Sequence, residues 1–314
     1  MKQLYIRAAL LMAGILLACV LITAITGVQG AVPPAQGQDL RVTASFYPVY
    51  IAALNIIGDT EGVELTCLVQ PRTGCLHDYQ MTPADRQRLQ QTDVMLVSGA
   101  GAEAFLEPVL ASLPTLPVVD ASKGIALLPS GHHHEEHEHE ELEHEEACNE
   151  HIWAAPATYR QQVLNLAEGL AAADAAHAQV YRRNAAAYCA AIDTVQAKLT
   201  AAVAAGGYTK CLLFSESLAY LAQELELEVL GTLSIGEQAT VSAAELAAAE
   251  QAIAGQKVLL LYDAQYDRLY TDLQRHAAEG RILSLDIAVQ GEPKADAWLT
   301  AMEKNAALLG GGAA

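Results

Sequence analysis

The chain has 314 residues, 52% of them hydrophobic, and a formal net charge of -19. That length accommodates two domains of ordinary size. The acidic balance argues against a nucleic-acid partner, because phosphate binding needs a basic stripe, and makes cations the natural partners.

Lys2 and Arg7 precede an uncharged stretch over residues 8–28, and the polar, proline-rich AVPPAQGQ follows, the pattern of an export segment. Leu16-Leu17-Ala18-Cys19 resembles a lipoprotein box, in which Cys19 is acylated and becomes the new N-terminus. The apolar run continues past Cys19 as VLITAITGV and is long enough to span a bilayer uncleaved. Either reading anchors the chain to the outer face of the cell membrane; free periplasmic release is the alternative. Disulfides are allowed outside the cytoplasm. Five cysteines follow Cys19, and Cys67 with Cys75, flanking a short loop, are the candidate pair, with two unpaired thiols as the alternative.

Strand and helix patterns then alternate. LRVTASF reads as a strand, PVYIAALNIIG as a helix, VELTCLVQ as a strand, and TPADRQRLQQ as a helix with a Thr cap and Pro in its first turn. VMLVSGAG is a strand, GAEAFLEPVLASL a helix and PVVDAS a strand. This alternation predicts an α/β lobe with a mainly parallel sheet over residues 39–155.

Within that lobe, residues 131–146 hold six histidines and eight glutamates, with Leu142 as the one apolar side chain. Such a run cannot bury a core and is predicted to be disordered. Its imidazoles bind metal weakly and exchange it quickly, which suits a collecting or sensing loop; a solvated acidic linker is the plain alternative. His151 follows, just before Trp153.

Residues 156–206 are alanine-rich and read as linking helices, broken near Asp174, with an apolar stripe for core packing. A second α/β lobe spans 207–314: strand KCLLFSE, helix SLAYLAQELEL, strand EVLGTLS, capped helix SAAELAAAEQAIAG, strand KVLLLYDA, helix DRLYTDLQRHAAEG, strand RILSLD and the closing helix KADAWLTAMEKNAALL. The fold class is therefore two α/β lobes joined by a long helix.

Ligands of such sheets bind beyond the carboxyl ends of the strands. There the sequence places His77, Ser215 with Glu216, Asp263 and Asp286, and His151 sits in the connection leaving the first lobe. Imidazole with carboxylate is ligand chemistry for Zn2+ or Mn2+. Each residue also has a plainer reading: Asp263 and Asp286 as helix caps, His77 as a hydrogen-bonded loop histidine, and His177 and His276 as surface residues on helices.

TGCLHDYQMTPADRQRLQQTDVMLVSGAGAEAFL, then HIWAAP, LLFSESLAYLA, LLLYDAQYD, LSLD and WLTAMEKNAALL resemble, in order, the metal-specific ABC-transporter solute-binding proteins of the zinc- and manganese-uptake, ZnuA-like family. The resemblance covers essentially everything after the anchor. It implies a metal held between two lobes, with His77 and His151 as its first two ligands and Asp286 as the carboxylate of the second lobe. Ser215 departs from the histidine, sometimes glutamate, usual at its position. Glu216 takes the place in our reading, with water or a histidine of the 131–146 run as the alternatives, and Asp263 stands where many members carry a glutamate near the site.

The resulting reading is a monomeric, non-enzymatic receptor for Zn2+, with Mn2+ the alternative, that delivers the metal to an ABC permease. A surface metal sink or adhesin of the same fold, or a zinc hydrolase, are the competing readings. Neither an H-E-x-x-H helix nor a G-x-S-x-G elbow is present to support the last.

Overall fold

The computed structural model describes residues 39–73, 76, 79–130, 148–233, 241–266 and 271–311. The anchor segment with Cys19, and with it Cys75, His77 and the 131–146 run, lie outside the described residues. Among the described residues no helix is long and apolar enough to cross a membrane.

Strands β1 (Leu40–Ala44), β2 (Val63–Cys67), β3 (Val94–Val97) and β4 (Val118–Asp120) form a parallel sheet in the order β2-β1-β3-β4. All four residues of β3 are buried, as the interior of a sheet covered on both faces requires. Helix α1 (Tyr47–Ile57) returns from β1, and α2 (Pro83–Gln90) starts on a capping box in which Thr82 and Asp85 satisfy each other's backbone N–H. The helix predicted over GAEAFLEPVLASL is shorter than its pattern. Gly99, Ala100 and Gly101 all have positive φ, a 3-10 turn covers Ala104–Leu106, and only α3 (Glu107–Ala111) is α-helical. Pro108 lacks an N–H, so it opens this helix and cannot continue one from upstream.

The linking helices are α4 (Pro156–Ala173) and α5 (Ala178–Gly206). They break where predicted: Asp174 Oδ2 accepts from His177 Nδ1 and from Tyr181 Oη, each at 2.7 Å. The 29 residues of α5 run roughly 40 Å. Tyr181, Ala185, Tyr188, Ile192, Val195, Leu199 and Val203 recur at helical spacing and are buried, so the apolar stripe is core packing. The helix ends on Gly207 at φ 64°, whose N–H reaches the Val203 and Ala204 carbonyls.

The second lobe repeats the first. Strands β5 (Lys210–Leu213), β6 (Glu228–Thr232), β7 (Lys257–Asp263) and β8 (Glu279–Leu285) are parallel in the order β6-β5-β7-β8, with α6 (Ala219–Glu224), α7 (Ala243–Ile253) and the closing α8 (Ala297–Leu309). The helix predicted over residues 267–280 needs correction at its described residues, 271–280. Thr271–His276 is a 3-10 turn, and β8 already begins at Glu279 because Lys257 and Val258 pair with Glu279 and Gly280. Tertiary pairing overrides local helix preference there. Of the candidate cysteine pair, Cys67 is a free thiol whose Sγ–H donates to the Val69 carbonyl, and burial pushes it up to about 12.

Helix α4 touches β4 at a point where only glycine fits. A Cβ on Gly169 would lie 2.2 Å from Val119 Cγ1 and 2.6 Å from its Cγ2. Valine is stiff at χ1, so it cannot turn away. Gly169→Ala should therefore destabilise the protein by about 1–3 kcal/mol despite alanine's better helix propensity. Adding Val119→Ala should recover part of the loss. Chemical denaturation of both variants measures this, and a more stable Gly169→Ala would contradict the close approach.

Candidate functional site

In both sheets the chain order reverses about the first strand of the lobe, so a crevice opens at the carboxyl ends of β1 and β3 and again at those of β5 and β7. The carboxyl ends of the two sheets meet. Gly291 N–H, in the connection after β8, donates to the Pro71 carbonyl after β2 at 2.9 Å. Tyr47 Oη, just after β1, donates to the Glu292 carbonyl at 2.7 Å. Gly291 is required for this approach, since a Cβ there would sit 2.6 Å from Tyr47 Oη. Burial, then the charges of Asp286, Glu292 and Asp296, push the Tyr47 phenol up to about 12. The Pro71 connection is the one that runs on to His77.

His151 is buried at the start of a 3-10 turn over Ile152–Ala154. Its ring lies 5.2 Å from that of Trp153, and its Nδ1 is 3.0 Å from Asn149 Oδ1. Glu216 is also buried, at the first position of the 3-10 turn that follows β5. Asn149 Nδ2 donates to the Glu216 carbonyl at 2.8 Å, so one amide side chain joins the two residues across the lobes. The Glu216 carboxylate accepts from Ser130 Oγ at 3.2 Å on each oxygen. Ser130 is the last described residue before the histidine-rich run, and Pro129 and Cys148 pair across its two ends. Tyr220 Oη closes this neck, accepting from Leu128 N–H at 2.9 Å and donating to the Asn149 carbonyl at 2.7 Å.

Ser215 is engaged elsewhere. Its Oγ caps the turn by accepting from Ser217 N–H and lies 2.8 Å from Ser217 Oγ, which donates to Asp263 Oδ2 at 3.0 Å. Asp263 is buried and also accepts from the backbone N–H and the side chain of Gln265, so it closes a turn at the end of β7 rather than capping a described helix. Burial raises its pKa; its donors pull the other way, and the nearby charge of Asp286 adds to the rise. Asp286 is half-buried, its Oδ1 accepts from Ala288 N–H, and Asn305 holds its peptide from both sides. His177 and His276 are partly exposed and paired with Asp174 and Glu250, away from these residues. Among the described residues no three His, Cys, Asp or Glu side chains form a metal-holding group. His151, Glu216 and Asp286, the described members of the proposed ligand set, therefore do not converge as such a group in this structure, and His77 lies outside the described residues.

The first lobe carries a buried acid that sequence reasoning passed over. Glu103 Oε1 accepts from Ser45 Oγ at 2.6 Å and Ser98 N–H at 2.7 Å, and Oε2 accepts from Gly99 N–H at 3.0 Å. It fills the crevice between β1 and β3 as Asp263 fills that between β5 and β7. Burial pushes its carboxyl up to about 7 against the pull of these three donors, with Asp120 adding to the rise. Asn149 was also passed over. Its only signal was an amide two residues before a histidine that already stood out.

Residues 42–311 match the family described as the zinc-uptake complex component A, periplasmic, ZnuA. The chain is 29% identical over 167 residues to the iron-binding protein YfeA of Yersinia pestis, covering 53% of this chain and only 50% of that protein. It is 28% identical over 238 residues to the high-affinity zinc uptake system protein ZnuA of Bacillus subtilis, covering 74% of each. In fold it is similar to the SBP FpvC of Pseudomonas aeruginosa in complex with Mn2+, with a TM-score of 0.69 at 23% identity over 86% of this chain and 96% of that one.

Glu103 makes stability depend on pH. From the ordinary 4.5 to about 7 the folded protein keeps a proton that the unfolded chain has released. Stability is thus greater below this window and falls as pH rises through it, by on the order of 1–3 kcal/mol. Glu103→Gln should flatten that slope. It should also lower stability at pH 5 by about 1 kcal/mol, since its amide N–H2 would face the Gly99 N–H. Urea unfolding of both proteins at pH 5 and 7.5 tests this; equal slopes would contradict it.

Proposed function

The chain belongs to the family of the periplasmic component A of zinc-uptake complexes, and we propose that it is an extracytoplasmic receptor that captures Zn2+, with Mn2+ the alternative cargo, and delivers it to an ABC permease. The metal lies between the lobes of residues 39–155 and 207–314, held by His77, His151, Glu216 and Asp286. Two neutral imidazoles and two carboxylates neutralise a divalent cation and fill a tetrahedral shell. The observation that supports this reading is the joining of His151 to Glu216 through Asn149, where the carboxyl ends of both sheets meet. Glu216 suits the fourth place better than Ser215, whose hydroxyl is committed to capping the turn. The chain does no chemistry on its cargo. The 131–146 run, which follows the Ser130 that donates to Glu216, collects metal for the cleft, and Cys19 lipidation or an uncleaved N-terminal helix keeps the monomer at the membrane beside its permease.

Calorimetry with a competing chelator tests the reading. A chain lacking residues 131–146 should keep one tight metal equivalent and lose several weak ones. In that background His77→Ala or His151→Ala should weaken the tight site at least ~100-fold, and Glu216→Gln or Asp286→Ala by about 1–3 kcal/mol. Binding should also weaken on acidification, because a protonated imidazole cannot ligate. Unchanged tight binding in the His151 variant would end the assignment.

A further inference from the structure

We propose that Asn149 is the positioning residue of the cleft: it fixes which nitrogen His151 presents to the metal and ties that imidazole to the peptide of Glu216. This rests on the reading of His151 as a ligand. A neutral imidazole has one protonated and one bare nitrogen, and only the bare one ligates. Asn149 Oδ1 lies 3.0 Å from the backbone N of His151 and 3.0 Å from its Nδ1. The amide cannot be the other way round. Its second atom is 2.8 Å from the Glu216 carbonyl oxygen, which only accepts, and its first faces the His151 backbone N–H, which only donates. An amide oxygen accepts and never donates, so the Nδ1 facing it carries the proton. Nε2 is then the nitrogen with the lone pair. Glu150 Oε1 stands 3.7 Å from the same Nδ1, beyond hydrogen-bonding reach.

Asn149 is itself held from every side. It is buried, its N–H donates to the Leu128 carbonyl at 2.8 Å, and its carbonyl accepts from Tyr220 Oη at 2.7 Å. Rotating its amide would break three hydrogen bonds at once, so the tautomer of His151 is set before metal arrives. Outer partners of this kind typically govern 10- to 100-fold in metal affinity.

The test uses the full chain, with Asn149→Ala and Asn149→Asp beside it. Asparagine to aspartate keeps an acceptor oxygen opposite His151 while replacing the donor to the Glu216 carbonyl by a charged acceptor, and it gives a second variant beside the alanine one. Nitrogen-15 shifts of the His151 imidazole in metal-free protein report the tautomer directly. The parent and Asn149→Asp should show Nδ1–H, and Asn149→Ala should lose that preference. Zinc affinity by chelator competition should fall about 10- to 100-fold in Asn149→Ala. An unchanged tautomer in Asn149→Ala overturns the inference whatever the affinities. A changed tautomer with parental zinc affinity also overturns it, provided His151→Ala has lost tight binding. If His151→Ala binds like the parent, the ligand assignment falls instead, and this inference with it.

Discussion

The geometry of the cleft depends on the indole of Trp298. Its Nε1 donates to the Trp153 carbonyl at 3.0 Å, its ring stacks on Tyr159 at 4.3 Å and 20°, and none of it is exposed. A residue of the last helix thereby grips the peptide two positions after His151. Phe46, at the N-cap of α1, packs edge-on against Trp153 at 5.0 Å. Through these rings the two lobes share one apolar core with α4 and α5. Close-packed interiors do not deform continuously. The peptide of Trp153, two residues after His151, is therefore held by packing, and the hydrogen bonds of Tyr47, Gly291 and Asn149 tie the two lobes beside it.

The two sheets have the same strand order and solve the same problem at the same place. Each has a crevice beyond its carboxyl ends, and each fills it with serines around a buried acid: Ser45 and Ser98 around Glu103, Ser215 and Ser217 around Asp263. In the first lobe Glu103 is consumed by the fold, since all its donors come from its own sheet ends. In the second, Asp263 feels Asp286 and borders the cleft. The equivalent crevice thus holds a buried acid in each lobe, and only the acid of the second lies near enough to Asp286 for their charges to act on one another.

What could be read from the sequence was what is local. Thr82 with Asp85, and Ser242 with Glu245, announce capped helices within four residues, and both capping boxes are present. The alternation of strands and helices, the break at Asp174 and the two-lobed order followed from periodicity. The start of β8 did not, because its partner on β7 lies 22 residues away in register, Lys257 against Glu279, and helix preference was the only local guide. Histidines and acids at strand ends were visible as candidate ligands through their chemistry. Asn149, Tyr220 and Glu103 were not, because each works through atoms brought to it by the fold: a carbonyl of the other lobe, a neck between two segments, the ends of two adjacent strands. The role of Ser215 was half legible. That it departs from histidine was plain, and that its hydroxyl caps the following turn needed the structure.

The pairing of Pro129 with Cys148 holds the two ends of the histidine-rich insertion side by side, and Tyr220 fastens both to the second lobe. A segment inserted between ends already in contact adds little strain to the fold that carries it. Closing a flexible loop costs more only with the logarithm of its length, about 0.6 kcal/mol for each doubling. The number of imidazoles between those ends is thus nearly free to drift. A change of length between Pro129 and Cys148 asks little of the packing around Trp298, which lies on the last helix and is held by contacts of its own.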